Sequence, residues 1–169
     1  GAGLIFVALT VGAHRRPVRV FFAGNTVPHA GIMDIERHAA TRGMTIVVPG
    51  RLEDSRQRHR LSPQTDVTLD EVLAFAAAVP DARILATELS LRFDADILAC
   101  VRGVSNLSFE ISRMPGGAER TFARLVEALG ADRFVFGTGM PFKVPEVSLL
   151  KLETVGDADA RAAIAAGNF

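Results

Sequence analysis

Short apolar segments alternate with amphipathic segments along almost the whole chain. Five apolar runs of strand length lie at residues 18–22, 44–48, 84–87, 107–111 and 134–136, roughly 25 to 40 residues apart. One helical pattern lies between each pair, which is typical of repeated βαβ units. Because the runs are apolar almost throughout, we expect strands that are covered on both faces, as in a parallel sheet. The alternation therefore predicts an α/β fold of parallel (β/α) repeats.

The predicted helices carry their own start and stop signals. Thr68 and Glu71 form a capping box at the start of one helix. Gly43, Gly103 and Gly130 follow three other helical patterns, at the place where glycine commonly ends a helix. We expect helices at about 30–42, 69–79, 94–102, 118–129 and 158–166. Residues 4–10 fit either a strand or part of a helix, and the sequence does not decide between them.

The length of the chain limits the architecture. The chain has 169 residues, whereas a complete (β/α)₈ barrel takes about 200 to 250 or more. Five or six strands make either an incomplete TIM-barrel-like fold or an open doubly wound sheet. Since no linker divides the chain, we expect residues 1–169 to form a single (β/α)-barrel-like domain. The start at Gly1 without a methionine favours a truncated chain that lacks the first strands.

Composition excludes several classes of partner. The chain has 19 acidic and 19 basic residues and no dense basic run, which argues against nucleic acid. The longest early apolar run, residues 4–11, is far shorter than the ~20 residues of a membrane span, and it lacks the basic leader of a signal peptide. The one cysteine, Cys100, fits a reducing compartment, and its helical surroundings predict a buried filler. We therefore expect a cytoplasmic protein with no membrane or nucleic-acid partner.

Polar residues follow the predicted strands, at the end where ligands bind in both architectures. The densest set lies between residues 51 and 60 and contains Arg51, Arg56 and His59. Its arginines could clamp an anionic substrate through planar, bidentate contacts. The alternative is a solvated loop whose charges pair with one another.

Two carboxylates lie at or within apolar strands, where burial is unfavourable unless they are paired. These are Glu88 and Glu110. Glu110 either pairs with an arginine such as Arg113 or points into a pocket with a shifted pKa. His29 and His59 are potential metal ligands, but no His-x-His or His-Glu-x-x-His spacing occurs. Surface or helix-capping roles for the two histidines are the alternative.

Several segments resemble the later strands of amidohydrolase-related metal-dependent hydrolases, which are TIM barrels. Residues 136–141, Phe-Gly-Thr-Gly-Met-Pro, resemble the Phe-Gly-Thr-Asp-x-Pro of the last barrel strand in that family. Residues 163–168 resemble its closing Ile-x-x-Gly-Asn helix. Weaker similarities lie at residues 18–22, 51–59 and 106–112. The resemblance implies an α/β barrel from about Val18 onward.

The positions that bind metal in that family are changed in this chain. The catalytic Asp of the last strand, usually also a metal ligand, corresponds to Gly139, and a frequent His corresponds to Thr87 or Glu88. The opening His-x-His motif does not occur. Zinc or manganese is therefore implied by the resemblance alone, because an activating metal needs several protein ligands. The metal-binding residues stay unassigned.

The resemblance implies metal-assisted hydrolysis or decarboxylation of a small carboxylate-bearing molecule. The implied catalytic residues are Glu53, Asp54 and Glu88, and the implied substrate-binding residues are Arg51, Arg56, His59 and Glu110, with His59 also supporting a metal. The alternative is a non-catalytic barrel scaffold with a binding or assembly role. Because an incomplete barrel exposes strand edges, we also expect a homo-oligomer. Restoring Asp at Gly139 alone is not expected to create hydrolysis.

Overall fold

The strands form one sheet whose spatial order is the order of the chain. The computed structural model describes residues 6–8, 18–21, 37–51, 56, 59, 66–116 and 120–168, with the backbone alone for residues 6–8 and 18–21. The strands are β1 (Phe6–Ala8), β2 (Val18–Phe21), β3 (Thr45–Pro49), β4 (Arg83–Thr87), β5 (Leu107–Glu110) and β6 (Phe134–Val135). Residues 6–8, left open by the sequence, are therefore a strand.

Helices connect the strands. They are α1 (described over residues 37–41), α2 (Leu69–Ala78), α3 (Ala95–Arg102), α4 (Thr121–Leu129), α5 (Pro145–Glu153) and α6 (Ala158–Ala162), which continues as a π-helical turn, Ala163–Gly167. Two 3₁₀ turns, Ile111–Arg113 and Ala131–Arg133, flank α4. The predicted helices near residues 69, 94, 118 and 158 are present, whereas α5 was not predicted. Within the described residues, no helix is long and apolar enough to cross a bilayer.

The strand order separates the two architectures that the sequence left open. Strands β2 to β6 are parallel, and each pairs with the next strand in sequence. Strand β1 runs antiparallel to β2, with Val7 opposite Val20. A doubly wound sheet reverses its strand order at a switch point, but this sheet does not. The order is that of consecutive barrel strands, and the parallel α/β prediction is confirmed for β2 to β6.

The main core lies between one face of the sheet and the helices. Its strand residues include Ile46, Ile84 and Phe109, which pack with Phe75 of α2 and Phe122 of α4. Successive strand residues point to opposite faces, and the second face carries a small separate cluster. That cluster contains Val47, Leu85 and Val135, with no helical residue among the described part of the chain. Helices on one face and strand side chains alone on the other are typical of a barrel wall.

Local capping fixes the helices as the sequence predicts. In α2, the Thr68 hydroxyl accepts a hydrogen bond from the backbone N–H of Glu71, whose carboxylate accepts one from the N–H of Thr68. One prediction is wrong: the thiol of Cys100 is exposed. Helix α3 buries Leu98 and Val101, and this helical face turns Cys100 toward solvent.

Candidate functional site

The parallel register brings four chain segments to one edge of the sheet. Pro49 of β3 lies opposite Thr87 of β4, so Arg51 and Glu88 follow neighbouring strand ends. Glu110 of β5 lies opposite Val135 of β6. The carboxyl ends of parallel strands are where barrels of this type build their sites.

Three cationic side chains surround the carboxylate of Glu88. The ammonium of Lys143 donates to Glu88 Oε1 at 2.5 Å. Arg51 Nε and Arg113 Nη1 lie 3.6 and 3.7 Å from Glu88 Oε2. These four side chains are between 19% and 28% exposed, so a small solute can reach them.

The backbone of Glu88 lies in the left-handed region, with φ of 53°. Such a conformation is uncommon for a residue other than glycine. Residues held in it are concentrated at functional sites, where the surrounding structure stabilises them. At Glu88 the conformation coincides with a carboxylate that three cations hold, which marks this strand end as the candidate site.

A second carboxylate, Glu110, is linked to the first through Ser112 and Lys143. Glu110 accepts hydrogen bonds from the Ser112 backbone N–H at 2.8 Å and from the Ser112 hydroxyl at 2.7 Å. The same hydroxyl accepts a hydrogen bond from Lys143 Nζ at 2.9 Å. The Lys143 ammonium therefore lies between Glu88 on one side and the Ser112–Glu110 pair on the other.

Two glycines of the segment after β6 make room for this arrangement. A Cβ atom added at Gly137 would run into the carboxyl group of Glu110. A Cβ atom at Gly139 would lie 2.5 Å from Lys143 Cδ and 3.1 Å from Ser112 Cβ. Non-bonded carbon atoms pack at about 3.5 to 4.0 Å, so any side chain at Gly139 would displace the stem of Lys143.

A buried lysine supports the 3₁₀ turn from the side of α5. Lys151 is 5% exposed, and its ammonium donates to the carbonyls of Ser112 at 2.8 Å and Ile111 at 3.2 Å. Burial lowers the pKa of Lys151; the nearby Lys143 lowers it further, and Glu110 opposes the shift. Lys151 therefore holds the backbone that carries Ser112 in place.

We refer to Arg51, Glu88, Glu110, Ser112, Arg113 and Lys143 as the rim cluster. Its three cations and two carboxylates give a net charge of +1 when all are ionised, which suits a small anion. The cluster does not fit a hydrolytic metal ion. Among the described residues, no group of three or more His, Cys, Asp or Glu side chains could hold one, and an ammonium already links the two carboxylates.

The structure brings together four of the residues that the sequence singled out, namely Arg51, Glu88, Glu110 and Arg113. Arg56 and His59 are exposed. Glu53, Asp54 and His29 lie outside the described residues. Arg113 pairs with Glu88 rather than with Glu110, and the described hydrogen-bond partner of Glu110 is Ser112.

Sequence reasoning missed Lys143 and Ser112. One signal could have found the first of them: of 19 basic residues, only Lys143 and Lys151 are lysines, and both reach the 3₁₀ turn after β5. In a chain that otherwise uses arginine, lysine marks places that need a compact ammonium on a flexible stem.

Comparisons with known proteins support the fold and leave the activity open. No protein-family model matches the chain, and no curated protein matches it. Similar solved structures include an uncharacterised TIM-barrel protein from Bordetella bronchiseptica, with 17% sequence identity and a TM-score of 0.60 over 81% of this chain and 48% of that one.

Two further similar structures carry activity names. One is 2,6-dihydroxybenzoate decarboxylase from Rhizobium, with 13% identity and a TM-score of 0.54 over 83% of this chain and 54% of that one. The other is amidohydrolase 2 from Bifidobacterium longum subsp. infantis, with 14% identity and a TM-score of 0.52 over 83% and 53%. This chain thus has an α/β fold that matches part of a TIM barrel, and it spans about half the length of these structures. The resemblance seen in the sequence is confirmed for the fold.

Proposed function

We propose that the rim cluster binds a small carboxylate-bearing molecule and that this chain forms part of a barrel enzyme that decarboxylates it. The observation that carries the proposal is the Glu88 carboxylate held by Lys143, Arg51 and Arg113 at the carboxyl end of a barrel strand. A site that holds one carboxylate among three cations has the chemistry to hold another.

Arg113 is the first candidate to bind the ligand. Its ion pair with Glu88 spans 3.7 Å, beyond the usual range of an N–H···O hydrogen bond, about 2.7 to 3.2 Å. The planar guanidinium can therefore present two parallel N–H groups to an incoming carboxylate without breaking a hydrogen bond. Arg51, on the same oxygen of Glu88, adds a second positive charge to the position.

Decarboxylation is favoured over metal-assisted hydrolysis because the rim cluster carries proton-transfer groups rather than a set of metal ligands. As the carbon–carbon bond breaks, carbon dioxide leaves and the electron pair stays on the substrate carbon. That carbon takes a proton from the Lys143 ammonium, and Lys143 regains a proton from solvent by way of Glu88. One proton is consumed for each carboxylate lost, which balances the reaction. A similar solved structure is a decarboxylase bound to 2,6-dihydroxybenzoate, which supports an aromatic acid as the probe.

The test is a titration of the purified chain with 2,6-dihydroxybenzoate and related hydroxybenzoates by calorimetry, followed by an assay for released carbon dioxide. We expect Arg113→Met to weaken binding at least tenfold, about 1.4 kcal/mol. The matched control is Arg102→Met, since Arg102 is exposed and, within the described residues, donates to the carbonyl of Ala128, outside the rim cluster. Equal affinities for the two variants, or no binding by the wild type, would contradict the proposal.

A second candidate function is binding or assembly without catalysis. The segment after β6 exposes six large apolar side chains: Met140, Phe142, Val144, Val147, Leu149 and Leu150. Phe142 is 88% exposed, and apolar side chains exposed in such number within one short segment favour an interaction site. It supports a homo-oligomer, in which a second copy covers the segment beside β6. Size-exclusion chromatography with light scattering measures the molar mass of the purified chain. A monomer at micromolar concentration would contradict the homo-oligomer.

A further inference from the structure

We infer that the Lys143 ammonium occupies the position in the rim cluster, between Glu88 and Glu110, where a divalent metal ion would otherwise bind. The inference deepens the proposed function and rests on it only in treating the rim cluster as the ligand site. It assigns Lys143 a role and predicts a site that works without a metal.

The contacts of the Lys143 ammonium are those of a bridging cation. It donates to the Glu88 carboxylate at 2.5 Å and to the Ser112 hydroxyl at 2.9 Å. Through that hydroxyl, which donates in turn to Glu110 at 2.7 Å, it connects the two carboxylates of the cluster. Carboxylate and hydroxyl oxygens are also the ligands that hard divalent cations prefer. The ammonium and a metal ion would therefore compete for the same oxygens.

The backbone at Gly139 leaves room for the aliphatic part of the Lys143 side chain. The stem passes over Gly139, where a Cβ atom would lie 2.5 Å from Lys143 Cδ and 3.1 Å from Lys143 Cγ. The turn that returns the chain toward the cluster is closed by a hydrogen bond from the Phe142 N–H to the Gly139 carbonyl, at 3.2 Å. Gly139 and Lys143 are thus a matched pair, because the missing side chain at one makes the space that the other fills.

A simpler explanation is an ordinary surface ion pair between Lys143 and Glu88. Such pairs contribute about 0 to 1 kcal/mol and tolerate changes in nearby side chains. The simple ion pair requires neither the hydrogen bond to Ser112 nor a glycine under the Lys143 stem. It also predicts no change in metal affinity when the lysine is removed, which separates the two explanations.

The experiment measures Mn²⁺ binding by calorimetry and the melting temperature of four proteins: the wild type, Gly139→Asp, Lys143→Ala and the double variant Gly139→Asp/Lys143→Ala. We expect no Mn²⁺ binding to the wild type at concentrations up to about 1 mM, the weak end of protein sites for hard cations. Gly139→Asp alone should lower the melting temperature and gain no metal, because the backbone φ of 69° at this position disfavours any side chain and because the new side chain and the lysine stem need the same space. The double variant should recover the part of this loss that comes from the lysine stem, and it should bind one Mn²⁺ at least tenfold more tightly than Lys143→Ala.

Two controls define the site. Adding Glu88→Gln to the double variant should abolish Mn²⁺ binding. Arg102→Ala removes an equal charge from an exposed position away from the cluster and should bind no more Mn²⁺ than the wild type. If the double variant does not fold, Lys143→Ala carries the test, with a gain of at least threefold over Arg102→Ala expected.

Either of two results would overturn the inference. One is a wild type that binds one Mn²⁺ per chain and loses it on Glu88→Gln. The other is a folded Lys143→Ala or double variant that binds no more Mn²⁺ than Arg102→Ala does. Neither measurement contains an organic ligand, so a chain that binds no hydroxybenzoate would end the proposed function and leave this result standing.

Discussion

The two edges of the parallel sheet use polar side chains in opposite ways. At the amino edge, the guanidinium of Arg133 donates to four backbone carbonyls, those of Val101, Val104, Ser105 and Leu107, at 2.5 to 2.9 Å. At the carboxyl edge, the cations of the rim cluster bind the carboxylate of Glu88 and the hydroxyl of Ser112. Backbone carbonyls are fixed partners, whereas the side-chain carboxylate of Glu88 can give up its cations to the carboxylate of a ligand.

The same division holds for the amides of the amino edge. The side-chain amide of Asn106 donates to the carbonyls of Ala76, Val79 and Ala82. That of Asn168 donates to the carbonyls of Ala131 and Phe134. In barrels, the amino-terminal face serves stability and the carboxyl-terminal face carries the site. We therefore expect mutations at the amino edge to lower stability and mutations at the rim cluster to change ligand binding instead.

The largest effect on stability is expected for Arg133→Met. Arg133 is 7% exposed, and its loss removes a side-chain donor from four carbonyl groups, of which that of Val101 keeps the backbone N–H of Val104. A buried polar group left unpaired costs about 1 to 3 kcal/mol. We expect the free energy of unfolding, measured by urea denaturation, to fall by at least about 3 kcal/mol. The control is Arg102→Met, which removes a donor from a single carbonyl at an exposed site. Equal losses of unfolding free energy in the two variants would contradict a special role of Arg133 in stability.

Asn106→Ala should have an intermediate effect. Its amide is half-buried and serves three carbonyls that end α2 and precede β4. We expect a loss of about 1 to 3 kcal/mol in the free energy of unfolding, with affinity for hydroxybenzoates unchanged in the folded protein. A change in affinity beyond twofold would show that the amino edge is coupled to the site.

Glu88→Gln should have a small effect on stability and a larger effect on ligand affinity and carbon dioxide release. The ion pairs of Glu88 are partly exposed, and pairs of this kind are worth about 0 to 1 kcal/mol. The substitution takes away the carboxylate that Arg51 and Arg113 face, so a ligand carboxylate should bind at least threefold more tightly beside them while carbon dioxide release falls. Glu110→Gln is the comparison, because its carboxylate has no ion pair with Arg51 or Arg113 in the described structure. Weaker binding by Glu88→Gln would show that Glu88 contacts the ligand rather than competing with it.

The sequence predicts the amino edge and the core better than it predicts the site. Strand and helix patterns, the Thr68 capping box and the glycine stops all act locally, so a single segment contains the signal. The partner of Arg113 could not be predicted in this way, because Glu88 is 25 positions away and becomes its neighbour only when β4 pairs with β5. Only the folded sheet decides which of several charges meet.

Helix α5 shows a different limit of sequence reasoning. Its buried side chains are Ser148 and Lys151, while Val147, Leu149 and Leu150 are exposed. This reverses the pattern by which amphipathic helices are recognised. The reversal has a reason in the structure, since the helix presents Lys151 to the carbonyls behind Ser112. In α5 a buried polar contact replaces the apolar periodicity of an amphipathic helix, so the sequence pattern does not reveal a helix that supports the site.

The smallest expected effect concerns Lys151, which has features of both edges. It is buried and donates to backbone carbonyls, like Arg133, but it lies beside the rim cluster. Burial lowers the pKa of Lys151 below its ordinary value of 10.5. Between the lowered and the ordinary pKa the unfolded chain binds more protons than the folded one, so stability rises with pH in that window.

We therefore expect the free energy of unfolding of the wild type, relative to Lys151→Met, to increase with pH between the lowered pKa of Lys151 and 10.5. Urea denaturation of the two proteins at matched pH values measures it, and the difference between them cancels groups that titrate in both. The same increase should be smaller in Lys143→Ala, because the neighbouring ammonium is one cause of the lowered pKa. A difference that stays flat or falls with pH would mean that the carbonyls of Ile111 and Ser112 stabilise the charged form of Lys151 enough to offset the effect of burial.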